Sequence, residues 1–221
     1  MATQRPPHAK QVPPSQTRLL YLSTYNLVFA SLWASIFVRA TSHALTSSRI
    51  DLFRATEPHA RWIQTASLLE VLHAAFGLIK SPVSTTALQV VTRVIQVWMV
   101  WFCFPASTAS SSAYLALLLA WSTADSIRYF YLALNMHGRA PEWLVWLRYY
   151  RYTMFYPLYP VGIGAEWWLL YRAVEPAGSI NGLIPPFFYF CLALYIPGSY
   201  TMYTYMMKQR SKTLKSAKKS A

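Results

Sequence analysis

Tyr159 and Glu166 stand seven residues apart in the segment LVWLRYYRYTMFYPLYPVGIGAEWWLLY, which runs from Leu144 to Tyr171. On a straight helix seven residues make two turns, so both side chains share one face, about 10 Å apart. A carboxylate among apolar neighbours can act as a general acid or base near neutrality. A tyrosine hydroxyl can donate a hydrogen bond to an oxygen of a substrate and polarise it. Together they could carry proton-transfer chemistry. The bland alternative makes Tyr159 an interfacial aromatic and Glu166 the counter-ion of a buried arginine. The same segment holds Pro157, Pro160, Gly162 and Gly164 within eight residues. Proline removes a backbone donor and kinks a helix, and glycine permits close approach. The helix is therefore expected to bend or open beside Tyr159, against protein or a cavity.

Five more polar residues fall within apolar runs: Glu70, His73, Arg93, Asp125 and Arg128. Ionisable residues at membrane depth are costly and face the bundle interior. Glu70 and His73 are three residues apart and share a helix face. A hydrogen bond between them is the favoured reading, because two ligands without a third make no metal site. Asp125 and Arg128 have the same spacing and can pair along one helix. Arg93 can reach either Glu70 or Asp125 across the bundle. As internal glue, these pairs need no catalytic role.

The elements that must position these residues follow from composition. Of 221 residues 55% are hydrophobic and only 12% charged, against about a quarter charged in soluble domains. The apolar residues come in long runs, with 9 Trp and 16 Tyr suited to membrane interfaces. A span needs about 20 mainly apolar residues. Candidate spans are 19–38, 63–79, 83–103, 113–134, 145–171 and 183–207, with 39–62 as the one long loop. The fold class expected is an all-α membrane protein, a bundle of six transmembrane helices. Residues 1–18 read as a disordered, Pro-rich tail rather than a cleaved signal peptide, 19–207 as the membrane domain, and 208–221 as a basic tail.

The net charge of +13 is concentrated toward the ends, which favours cytosolic tails on a membrane protein over a nucleic-acid-binding face. With six spans, Arg5, Lys10, Arg18, Lys80, Arg139, Arg148, Arg151 and the six Lys and Arg from Lys208 to Lys219 share one side. Arg39, Arg49, Arg54, Arg61 and Arg172 lie on the other. The positive-inside rule puts both termini in the cytosol. The final residues Lys218-Lys219-Ser220-Ala221 have the form of a KKxx dilysine signal for the endoplasmic reticulum. The only cysteines, Cys103 and Cys191, lie in apolar runs, are expected to be buried thiols, and are too few for a disulfide framework or cysteine metal site.

Five stretches, taken in order, resemble one family. They are YLSTYN at 21–26, LLEVLHAAFGLIKSPVSTTALQVVTRVIQVW at 68–98, WSTADSIRY at 121–129, YPLYPVGIGAE at 156–166 and YIPGSYTMYTYMMKQR at 195–210. The chain is similar through them to the very-long-chain (3R)-3-hydroxyacyl-CoA dehydratases, or protein tyrosine phosphatase-like family. The resemblance implies a six-span endoplasmic reticulum enzyme that works without a cofactor in the third step of fatty acid elongation. That step removes water from (3R)-3-hydroxyacyl-CoA to give trans-2-enoyl-CoA. The family's catalytic Tyr and Glu fall on Tyr159 and Glu166. The resemblance also implies other elongation enzymes, a condensing enzyme and reductases, as partners. One departure stands out: Asp125 occupies a position where the family usually carries Glu.

The acyl chain is expected among the spans. The anionic CoA phosphates belong near the cytosolic face, where Lys80, Arg148 and Arg151 are candidate ligands, unless these serve only the charge bias. Phosphatase chemistry is excluded, since neither cysteine sits in an HCxxGxxR loop. The remaining alternatives are a scaffold of the same fold, binding elongase components or phosphoproteins, and a small transporter. The scaffold is disfavoured by the intact Tyr159 and Glu166. The transporter ranks lower because transporters tend to pair broken helices in two related halves.

Overall fold

A computed structural model describes residues 15–137 and 142–220, with side chains at 15–137, 158–201, 203, 204 and 207. The described residues are helical, with no strand among them. The helices are α1 (Gln16–Thr46), α2 (Arg49–Ala66), α3 (Leu69–Ala75), α4 (Val83–Ile95), α5 (Pro105–Ala109), α6 (Ser112–Asn135), α7 (Glu142–Gly178) and α8 (Ile184–Ser220). A π-helical turn, Gln96–Phe102, continues α4. Two of these helical stretches, Gln16–Thr46 and Val83–Phe102, are long and apolar enough to cross a membrane.

Helix α1 begins where the Ser15 side chain accepts the Arg18 backbone N–H. Its inner face carries Leu22, Asn26, Phe29, Trp33, Ile36 and Ala40, while Leu27, Val28, Leu32 and Val38 remain exposed. The outside of the helix is thus largely apolar as well, interrupted by Thr24, Ser31, Ser35 and Arg39. Its 31 residues give a length of about 46 Å, well beyond the roughly 30 Å hydrocarbon core of a bilayer.

The stretch 39–62, expected as a loop, is helical. Helix α1 runs on through Thr46, and only Ser47 and Ser48 separate it from α2. Ser48 caps α2 by accepting the Asp51 N–H at 3.2 Å and donating to its carboxylate at 2.6 Å. The stretch looked loop-like because it is polar. Its apolar residues nevertheless recur at helical spacing, and Leu52, Phe53, Ala60 and Ile63 enter the core.

The expected second span, 63–79, is not one helix. It breaks at Ser67–Leu68, where the Ser67 hydroxyl donates to the Gln64 carbonyl and accepts from the Gln64 amide. Helix α3 then ends at Ala75 in a Schellman turn. Gly77 takes φ +67°, its N–H meets the Ala74 carbonyl, and the Leu78 N–H meets that of His73. Arg18 donates to the Gly77 and Leu78 carbonyls, tying the start of α1 to this turn.

Helix α6 is central, packed on α1 and α7, with α8 laid against α7. The expected opening of the fifth span is absent, because α7 stays helical through Pro157, Pro160, Gly162 and Gly164. The helical irregularity sits instead in the stretch expected as the third span, as the π turn Gln96–Phe102. Gly162 faces α6, where a Cβ in its place would meet that of Ala120 at an ordinary 3.9 Å. The backbone of 208–220, expected as a tail, continues α8. Cys103, which follows the π turn on the outer surface, is exposed and Cys191 is half-buried, so the expectation of two buried thiols fails at Cys103 and is met only in part at Cys191.

Candidate active site

Helix α7 directs Glu166 between α6 and α8. Trp121 of α6 donates its indole N–H to Oε1 at 2.9 Å. Tyr195 of α8 donates its hydroxyl to Oε2 at 3.2 Å. The Trp121 ring is itself held: the Arg93 guanidinium lies 4.1 Å from its centroid and the Trp101 ring 5.4 Å away. Ala165, Leu169 and Leu170 are buried beside Glu166. The result is a carboxylate in apolar surroundings with a donor on each oxygen and a cation behind one of them.

Tyr159 lies two turns earlier on α7. Its hydroxyl donates to the Ser199 carbonyl at 3.3 Å. Its ring is 6.0 Å from that of Tyr203. Tyr159, Pro160, Ile163, Ser199, Tyr200 and Tyr203 line an open groove of about 270 Å³ between α7 and α8. One turn of α8, Tyr195–Ser199, therefore touches both Glu166 and Tyr159. The expected shared face of α7 is met.

The other polar residues form one network. Arg93 takes Asp125 as its partner at 2.7 Å, not Glu70. Asp125 pairs also with Arg128 at 3.3 Å, as their spacing implied. Arg128 grips Glu70 with two nitrogens at 3.1 and 3.0 Å, and the Tyr129 hydroxyl donates to the same carboxylate. The expected Glu70–His73 bond is absent, since Arg128 and Tyr129 occupy Glu70. His73 turns instead to the Tyr21 hydroxyl at 2.8 Å. The chain Glu70–Arg128–Asp125–Arg93 ends on the face of Trp121, and so reaches the Glu166 clamp. Among the described residues no three His, Cys, Asp or Glu side chains gather as a metal site.

This network gives Asp125 a defined task, to neutralise Arg93 and Arg128. Replacing it with the longer acid, Asp125→Glu, keeps the charge. The variant should retain catalytic activity within about threefold of the parent, because carboxylate–arginine pairing tolerates one methylene in a relaxed side chain. A loss of a hundredfold in the same assay would show that the shorter arm sets the site.

Lys80 is exposed in the turn after α3, at the end of the bundle where α1 begins. The side chains of Arg148 and Arg151 lie outside the described ones, as do residues 1–14 and Arg139. Sequence reasoning missed Trp121, Tyr195 and Tyr129. The spacing of Trp121, four residues before Asp125 and one turn away on the same face, places it beside the network but does not name Glu166 as its partner.

The family model of Protein tyrosine phosphatase-like protein, PTPLA, matches residues 64–216. The chain is 37% identical over 204 residues to a probable very-long-chain (3R)-3-hydroxyacyl-CoA dehydratase of Schizosaccharomyces pombe, covering 90% of this chain and 95% of the relative. It is 38% identical over 218 residues to very-long-chain (3R)-3-hydroxyacyl-CoA dehydratase PASTICCINO 2A of Oryza sativa subsp. japonica, covering 92% and 97%. The very-long-chain (3R)-3-hydroxyacyl-CoA dehydratase 2 of Homo sapiens is 31% identical over 208 residues, covering 88% and 80%. No solved structure matches the chain. With a family model spanning 64–216 and relatives matched nearly end to end, this chain belongs to the protein tyrosine phosphatase-like family.

Proposed function

We propose that the chain acts on its substrate through Glu166 and Tyr159, as a very-long-chain (3R)-3-hydroxyacyl-CoA dehydratase, a hydro-lyase of fatty acid elongation. The observation that carries the site is Glu166 itself: a carboxylate among apolar side chains, held by two donors, two helical turns from a tyrosine at an open groove. The thioester acidifies C2 of the substrate. Glu166 takes the C2 proton, the C3–O bond breaks as the C2=C3 double bond forms, and the departing oxygen leaves as water with the proton that Glu166 returns. Tyr159 hydrogen-bonds the reacting oxygen. No electron is gained or lost, so the step balances without a redox partner. The purified protein should form enoyl-CoA from 3-hydroxyacyl-CoA, and a folded protein inert toward every chain length would overturn the reading.

The reading includes six crossings with both termini cytosolic, in the endoplasmic reticulum membrane, and association with the other elongation enzymes. Six crossings are supported by the way the ends sort. Arg18 meets the 77–78 turn and His137 meets Ser23, while Arg49 and Arg172 both reach Ser110. Exposed apolar side chains such as Leu88 at 63% and Phe190 at 60% then face lipid. In sealed microsomes of a variant lacking native cysteines, Ala217→Cys should label with a membrane-impermeant maleimide. Ser47→Cys should label only after detergent. The reverse pattern would invert the topology.

Lys80, Arg148 and Arg151 fall at the proposed cytosolic end and are assigned to the CoA phosphates. Alanine at one of them should raise KM by about tenfold, the scale of one charge-assisted hydrogen bond, with little change in kcat. Unchanged KM in all three variants would leave them to the charge bias alone.

A further inference from the structure

The two donors on Glu166 differ in what they can do. The indole of Trp121 only donates, and its ring is fixed between the Arg93 guanidinium and Trp101. The Tyr195 hydroxyl can donate or accept, because its proton rotates about the C–O bond. It also makes the longer contact, 3.2 Å against 2.9 Å. Tyr195 stands on the turn of α8 that receives Tyr159: the Ser199 carbonyl accepts the Tyr159 hydroxyl, and the Ser199 hydroxyl donates to the Tyr195 carbonyl. Both members of the catalytic pair are thus referenced to one helical turn of another element.

We propose that Tyr195 is a positioning residue for the elimination, holding Oε2 of Glu166 as the oxygen that carries the substrate proton while Trp121 anchors Oε1. With Glu166 ionised, the Tyr195 hydroxyl donates to Oε2. When Oε2 holds the C2 proton, the hydroxyl turns and accepts from it, and it turns back as the proton passes to the leaving oxygen. The hydroxyl proton stays on Tyr195 throughout, so nothing is transferred to or from that residue. This assignment makes Oε2 the reacting atom and gives α8 a part in the chemistry. It rests on Glu166 being the acid–base group.

The test compares Tyr195→Phe and Glu166→Gln with the parent in detergent, using 3-hydroxyacyl-CoA with hydrogen or deuterium at C2. Tyr195→Phe should lower kcat by about ten- to a hundredfold, the scale of a mispositioned catalytic group. KM should stay within about twofold, since no substrate contact is lost. The isotope effect on kcat should grow, because proton removal becomes slower than product release. Parental kcat, or a loss confined to KM with an unchanged isotope effect, would overturn the role. If Tyr195→Phe does not fold, 3-fluorotyrosine placed at position 195 carries the test with ring and hydroxyl retained. Its more acidic hydroxyl must alter the isotope effect, and a purely structural tyrosine would leave it as it was. An active Glu166→Gln enzyme would sink the site reading itself. An inert Glu166→Gln beside a fully active Tyr195→Phe would sink only the role of Tyr195.

Discussion

Glu166→Gln should reduce enoyl-CoA formation by about a thousandfold or more while the protein still folds. The amide matches the carboxylate in shape. Its oxygen can still accept the Trp121 N–H, and its nitrogen can donate to the Tyr195 oxygen, so the clamp between α6, α7 and α8 survives. What is lost is the ability to take a proton from carbon and return it to oxygen. A positioned acid–base group contributes about 10²- to 10⁴-fold to rate, and here one carboxylate is asked to serve both halves of the step. Tyr159→Phe should cost less, about a hundredfold, because it removes one hydrogen bond to the reacting oxygen and leaves the proton carrier intact. Rates from single-turnover assays at saturating substrate check both. Full activity in either variant would remove that residue from the chemistry.

Asp125→Ala should be the most damaging single change to stability among the network residues. Asp125 lies between Arg93 at 2.7 Å and Arg128 at 3.3 Å. Arg128 keeps Glu70 after the substitution, but Arg93 loses its carboxylate inside the bundle. Stranding one member of a buried ion pair costs about 3–5 kcal/mol, which for a chain of this size corresponds to a drop in Tm of about 10 °C. The double variant Asp125→Ala with Arg93→Met should recover part of that loss, because no uncompensated charge remains. Thermal unfolding in detergent, read by loss of the monodisperse peak, measures both. Equal stability of the parent and Asp125→Ala would show that the network is dispensable for the fold.

The sequence made the uninterrupted apolar runs legible. The apolar run read as 113–134 is the helix Ser112–Asn135, and the run read as 83–103 is the helical stretch Val83–Phe102, which is long and apolar enough to cross a membrane. The i, i+3 spacing of Asp125 and Arg128 also foretold a real pair. Reading failed where polarity and periodicity disagree. The 39–62 stretch is charged enough to look like a loop, yet its apolar residues return every three or four positions and pack as a helix. The proline and glycine content of α7 foretold an opening, yet the helix runs unbroken through Pro157, Pro160, Gly162 and Gly164. The candidate pair on α7 was legible because both residues lie on one element. Trp121 and Tyr195 were not, because a contact between helices depends on packing angle and rotation, which local sequence does not encode.

The π turn that extends α4 has a consequence for angular phase. Arg93 and Trp101 are eight residues apart, yet both lie against the single ring of Trp121. In an unbroken α-helix eight residues overshoot two full turns by about 80°, and the two side chains would point in different directions. A π-helical turn takes up about one extra residue, which absorbs that overshoot. Helix α4 with its π turn thereby presents a cation and an indole along the same line, and both bear on the ring that holds Glu166. A wide turn in one helix sets the aim of a side chain on another.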